Sequence, residues 1–297
     1  MPMRYPVTSS ELHTATQATI EGLKSLRLDC CLVGSVACSA YGMSRVPNDI
    51  DMVVLTSRYT QEELKNLLVR YNSNFYLVAS KDPLTTYRVL WFRLTGYHRS
   101  CKVDLLLPGT MNIPFVDPSR IHRVGNTRQT DNIYSSVLSA KYPLMPFLPL
   151  LLLKLQAWQD HGESAKFFMR DKQPTDVQDI RELLQLAEQK YALSDITRIT
   201  ATVARKVVGS VHRKDTIQIQ TTQSSLLKRE GPYLPESFIE TAKTRVRKFA
   251  QMYPWSEKQW IMIGFEISSG VAFRATSRST QSDVRGLGSM MCEGLEV

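Results

Sequence analysis

The sequence has no apolar run long enough to cross a bilayer, which takes about 20 residues of helix. Its longest, from Leu144 to Leu155, is broken by Pro146 and Pro149 and carries Lys154 near its end, so it predicts a buried helix. The opening MPMRYPVTSS lacks the charged-then-apolar order of a secretory signal. A cytoplasmic protein without a membrane partner is the expectation. Cysteine is also scarce: Cys30, Cys31, Cys38, Cys101 and Cys292, an odd number with no pair of Cys-x-x-Cys motifs. That argues against a disulfide framework and against a zinc cage. His98 and Cys101 have ligand-like spacing, yet nothing joins them, and they read as ordinary residues beside a strand. Internal repeats and dense Lys/Arg runs are missing too. The net charge of +9 favours polyanionic partners in general, and its scatter reads as solvated helix faces.

What is present is ordinary globular material. Hydrophobic residues make up 43% and charged residues 22% of 297, enough for two compact units or for one domain with a large extension. Up to about residue 140, short apolar runs alternate with stretches of helical period, as in an α/β unit. Helices are expected over 12–26, with Ser9 or Ser10 as N-cap, and over 36–41 and 61–71. Strands are expected over 30–33, 50–55, 75–79, 87–94 and 102–107, the last closed by Pro108-Gly109. Beyond 140 the period turns helical, with helices expected over 149–161, 176–191, 195–212, 235–252 and 255–265. Asp176 and Asp179 fall in a first turn, where acids suit the helix dipole. Residues 213–234 read as a long connection, and the Ser-, Thr-, Gly- and Arg-rich stretch from Ser268 as a disordered tail.

The segments that carry chemistry are Cys31-Leu-Val-Gly34-Ser35 and Arg45-Val-Pro-Asn-Asp49-Ile-Asp51. Two aspartates one residue apart on a strand project to the same face. Their mutual repulsion is relieved by a cation, and Mg²⁺ prefers a few carboxylates shared with phosphate oxygens. A third carboxylate, Asp104, lies inside the apolar run Cys101-Lys-Val-Asp-Leu-Leu-Leu, where burial is costly unless the charge is paired or bound to metal. If the two strands are neighbours, three acids converge, which suffices for a two-metal site with Asp104 beside the attacking hydroxyl. Gly34 lets backbone approach a phosphate, and Ser35 opens a helix whose first N–H groups and hydroxyl suit the β- or γ-phosphate. The Gly42-Met-Ser-Arg45 cluster ahead of Asp49 is where a moving substrate loop is expected.

At these residues the sequence resembles the nucleotidyltransferase superfamily that includes polymerase β: Gly-Ser after a strand, Asp-apolar-Asp about a dozen residues on, and a third acid on a later strand. Arg45 ahead of Asp49 is similar to the Arg-x-Thr-x-Asp-x-Asp variant of the minimal, AbiEii-toxin-like branch, with Pro47 where that branch often has Thr. Lys154 in Leu-Leu-Lys-Leu-Gln-Ala stands where that branch has a lysine facing the triphosphate. Read from the residues alone, it serves equally as the snorkelling lysine of an amphipathic helix. The resemblance implies an α/β (α+β) fold with a mixed sheet flanked by helices and a helical C-terminal region. It also implies transfer of an NMP group from an NTP with Mg²⁺ or Mn²⁺ on Asp49, Asp51 and Asp104, and the NTP held by Gly34, Ser35, Arg45 and Lys154. The chain then divides into a catalytic core at 1–140, a helical region completing the site at 141–266, and a tail at 267–297. The acceptor, whether small molecule, protein or RNA, is not encoded in these motifs. Two other classes stay open: a catalytically silent nucleotide-binding or interaction module, and an RNA-binding protein using Arg198, Arg205, Lys206, Arg213, Lys214, Lys243, Arg245, Arg247 and Lys248.

Overall fold

The computed structural model describes residues 6–80, 86–123, 142–189 and 225–267. The sheet and the helices that follow it belong to one compact unit, Met1–Ile267. Helix α1, Ser9–Ser25, starts on a capping box. The Thr8 hydroxyl accepts the Glu11 N–H at 3.3 Å, and the Glu11 carboxylate accepts the Thr8 N–H at 2.8 Å. Ser9 and Ser10, the expected caps, lie inside the helix because neither has a glutamate three residues on. Helix α3, Gln61–Tyr71, is opened the same way by Thr60 and Glu63.

Between them run β1 (Cys30–Val33), the short helix α2 (Gly34–Tyr41) and β2 (Asp49–Val54); β3 (Phe75–Ala79), β4 (Arg88–Arg93) and β5 (Ser100–Leu106) follow α3. Two-residue strands β6 (His122–Arg123) and β7 (Pro143–Leu144) complete a seven-stranded sheet of order β3-β4-β5-β2-β1-β7-β6. It is mixed: β2 runs parallel to β5 and β1 to β7, and the other neighbours are antiparallel. Ile50, Met52, Val54, Leu90, Val103 and Leu105 are fully buried. Their alternation with half-buried residues marks one face as core, with α1 and α3 packed against it. On the other face α2 packs against β1 and β2.

The C-terminal half is helical. Helix α4 spans Phe147–Gly162, α5 Phe167–Arg170 and α6 residues 173–189; α7 (Leu226–Glu230), α8 (Glu236–Met252) and α9 (Glu257–Ile263) follow. Helix α4 begins two residues before its expected start, since proline is tolerated in a first turn. Its Leu148 N–H donates to Glu230 Oε2 at 2.8 Å, so a carboxylate from far along the chain caps its positive end. Residues 226–233, expected as loop, form α7 and a 3-10 turn, with Leu226 packed into the core. Trp158 of α4 meets the Phe249 ring of α8 edge-on, centroids 4.9 Å apart. The helix expected over 195–212 and the tail from 268 lie outside the described residues. Among those described, no helix is long and apolar enough to cross a membrane.

Strand β1 is the hinge of this arrangement, paired with β2 on one side and β7 on the other, and Leu32 at its centre is fully buried. Truncation there leaves a cavity next to the acidic strand. Leu32→Ala should cost about 2–5 kcal/mol in urea denaturation; a loss below about 1 kcal/mol would contradict the tight packing described.

Candidate active site

Strands β2 and β5 are adjacent and parallel, with Asp49 opposite Lys102 and Asp51 opposite Asp104. Opposed residues of a ladder, and residues two apart along a strand, share a face. Three carboxylates and one ammonium therefore stand on the same side of the sheet, away from Ile50, Met52, Val103 and Leu105. All three acids singled out in the sequence are set on one face by this register.

Asp51 is flanked on its other side by Val33, the last residue of β1, and hence by the start of α2. Gly34 there has a φ of +63°, and a Cβ on it would lie 2.0 Å from Asp51 Oδ2. The position is glycine because the carboxylate fills the space a side chain would take. Ser35 follows, its hydroxyl donating a long 3.5 Å bond to Asp49 Oδ1. No side chain caps α2, so its first-turn N–H groups keep their donors for an anion.

Charge in this corner is poorly compensated. Burial pushes the Asp51 carboxyl up to about 7, with Asp49 and Asp104 adding repulsion and Lys154 and Lys102 opposing it. No hydrogen bond reaches the Asp51 carboxylate among the described residues. Asp104 is turned to Lys102, whose Nζ bonds its Oδ2. The nearby thiols take no part: burial raises Cys31, Cys38 and Cys101 to about 12, so they stay protonated.

A second cluster lies alongside. Arg45 donates to both oxygens of Asp179, Nε to Oδ1 at 2.9 Å and Nη2 to Oδ2 at 2.7 Å, and Lys154 Nζ reaches Oδ2 at 2.7 Å. The Asp179 side chain is 1% exposed and that of Lys154 12%. Burial opposes the charge on Asp179, yet the two cations hold its carboxyl below the usual range. Lys154 therefore does not snorkel into solvent. Asp179, expected as a helix-dipole partner, instead ties α4 and the segment before β2 to α6, and Asp176 pairs with His161 Nδ1 at 2.5 Å. Ser44 adds to the tie, its N–H and hydroxyl donating to Glu182 at 2.9 Å each. The Gly42–Arg45 cluster, expected to move, is thus fastened to α6 in this state.

Two residues of the site escaped the pattern reading. Lys102 was visible as Lys-x-Asp on an alternating strand, a spacing that puts it beside Asp104. Asp179 left no local signal, because its partners come from Arg45 and Lys154, far away in sequence. The basic residues expected as an RNA face are partly internal: Arg245 is buried and donates to Gln159 Oε1 at 3.0 Å, and Lys243 and Lys248 pair with Glu240 and Glu163. Arg198, Arg205, Lys206, Arg213 and Lys214 lie outside the described residues.

Three carboxylates on neighbouring strands, one hydrogen-bond-free and driven towards protonation, are the donor set that a hard divalent cation takes. Their side chains are not yet gathered around one point. Among the described residues no group of three or more His, Cys, Asp or Glu is set to hold a metal ion.

No protein-family model and no curated protein matches the sequence. Solved structures do. The chain is similar to an antigenic nucleotidyltransferase-like protein from Paracoccidioides brasiliensis, at 17% identity over 91% of this chain and 99% of that one, with a TM-score of 0.51. That likeness shows the fold, an α/β nucleotidyltransferase-type mixed sheet with flanking helices and a helical C-terminal region. The antibiotic-resistance factor ANT(2'')-Ia also aligns, at 8% identity over 65% of this chain and 100% of that one. Its TM-score of 0.33 is too low to bear on the matter.

The Asp51 carboxyl ionises near 3.8 in a free chain and about 7 in the fold. The folded state thus holds the proton longer, and between those values stability falls as pH rises, the full loss being present above 7. Asp51→Asn cannot ionise. In urea titrations run in EDTA, its stability relative to wild type should grow from pH 4 to pH 7 and then level off. A difference that does not change with pH would contradict the buried-charge account.

Proposed function

We propose that this chain is a metal-dependent nucleotidyltransferase. An acceptor hydroxyl attacks the α-phosphorus of a bound NTP, the bond to the bridging oxygen breaks, and pyrophosphate leaves. The observation that supports this best is the register that sets Asp51 opposite Asp104, with Asp49 on the same face and Gly34-Ser35 against them. Asp49, Asp51 and Asp104 would hold Mg²⁺ or Mn²⁺, which when bound supplies Lewis-acid polarisation of the phosphate and relieves the carboxylates' repulsion.

The protein's own groups supply the rest. The open first turn of α2 and the Ser35 hydroxyl hold the triphosphate oxygens. Arg45 and Lys154 share a single counter-charge in Asp179, leaving one net positive charge for the same anion. Asp104, opposite Asp51 on the neighbouring strand, takes the hydroxyl proton as attack proceeds. Membership of the minimal, AbiEii-toxin-like branch belongs to the same proposal. It is supported by Arg45 ahead of Asp49 and by Lys154, which meet at Asp179. Small-molecule, protein and RNA hydroxyls all suit this chemistry, in a cytoplasmic setting where NTP is at hand.

Purified protein incubated with each α-³²P NTP, Mg²⁺ or Mn²⁺, and separated RNA, protein and small-molecule fractions tests it. Label should enter one fraction with wild type and vanish with the Asp49→Asn/Asp51→Asn pair, identifying nucleotide and acceptor class together. Label that survives the double substitution would reject the assignment of the acids. NTP binding with no transfer to any fraction would make the chain a silent nucleotide-binding module.

A further inference from the structure

Lys102 is the charged group of the acidic face that nucleotidyl transfer leaves unexplained. It stands two residues before Asp104 on β5 and opposite Asp49 on β2. Its ammonium bonds Asp104 Oδ2, and its charge is felt at Asp49 and Asp51 as well. The pair is partly withdrawn from water, with side-chain exposures of 36% for Lys102 and 17% for Asp104. A wholly exposed ion pair contributes little, but this one sits among two further carboxylates and draws one of the three away from the other two.

The charge balance limits what else fits. With all three carboxylates ionised, as a bound cation would leave them, the Lys102 ammonium leaves two net negative charges, the complement of one divalent ion. A two-metal site places its ions roughly 3.5–4 Å apart. An ammonium in contact with Asp104 already fills the cation position on that carboxylate. A second divalent ion there would meet like charge at short range, in a partly shielded setting where such repulsion is strong.

We propose that Lys102 replaces the second metal ion: the site binds one divalent cation, on Asp49 and Asp51, and the Lys102 ammonium is the fixed cation at Asp104. This rests on the nucleotidyl-transfer reading for the identity of the nucleotide, and it removes Asp104 from the metal ligands given there. Asp104 then faces the acceptor as a carboxylate whose counter-ion is part of the protein, and the acceptor hydroxyl loses its proton to that carboxylate.

The test counts ions directly. Mn²⁺ is titrated by electron paramagnetic resonance into protein held in excess over an α,β-methylene NTP, so that all the analogue is bound. The wild type should take up one Mn²⁺ per bound analogue, Lys102→Met two, and Lys102→Arg one. The methionine keeps the aliphatic stem, and thermal melts verify that each variant is folded. Two ions in the wild type, or one in Lys102→Met, would overturn the proposal while leaving nucleotidyl transfer intact. If the Asp49→Asn/Asp51→Asn pair takes up as much Mn²⁺ as the wild type, the carboxylate site itself fails, and the proposal fails with it.

Discussion

Repulsion between carboxylates fixed at the spacing of neighbouring strands is the constraint on which the rest of this structure turns. Asp51 lies between Asp49 on its own strand and Asp104 on the next, with no hydrogen bond to soften the contact. A fold selected for stability alone would place apolar or paired residues there, as it does one position away at Ile50, Met52 and Val103. The sheet is continuous through this point and holds the acids rigidly, so their strain cannot be relaxed by moving backbone. Everything near them can be read as accommodation. Gly34 gives up a side chain to make room, α2 presents uncapped N–H groups, and Lys102 and Lys154 bring positive charge close.

The helical half contributes by anchoring. Asp179 is nearly inaccessible and carries two cations from different segments, Arg45 from the stretch entering β2 and Lys154 from α4. A buried carboxylate with two such partners is expensive to desolvate and costly to break. Its value lies in fixing where Arg45 and Lys154 sit relative to the acidic strand. Glu230 at the start of α4 and the Trp158–Phe249 contact hold that helix in turn, so the position of Lys154 depends on residues as far along the chain as α8.

Much of this was legible in the sequence. The Asp49-Ile-Asp51 alternation, the apolar frame of Asp104 and the Gly-Ser turn after a short strand each obey a period of two or a local backbone rule, and the structure places them together. The helix starts were less so: Thr8 caps α1 because Glu11 answers it, a pairing that neither Ser9 nor Ser10 can make. Residues 226–233 hid their helical turns behind Gly231 and Pro232, although Leu-Leu-Lys-Arg-Glu favours helix and Ser225 caps it through the Lys228 N–H. Asp179 was out of reach for a deeper reason. Acids near a helix start are common, and what distinguishes this one, in the second turn of α6, is contact with residues 134 and 25 positions away. Long-range pairing leaves no periodic trace.

The most direct measurement is anomalous diffraction from crystals of the protein grown with Mn²⁺ and a non-hydrolysable NTP. The account predicts an anomalous peak within coordinating distance of both Asp49 and Asp51, with the triphosphate over the first turn of α2 and the Lys102 ammonium still on Asp104. A nucleotide bound away from α2, or Mn²⁺ density that avoids Asp49 and Asp51, would contradict it.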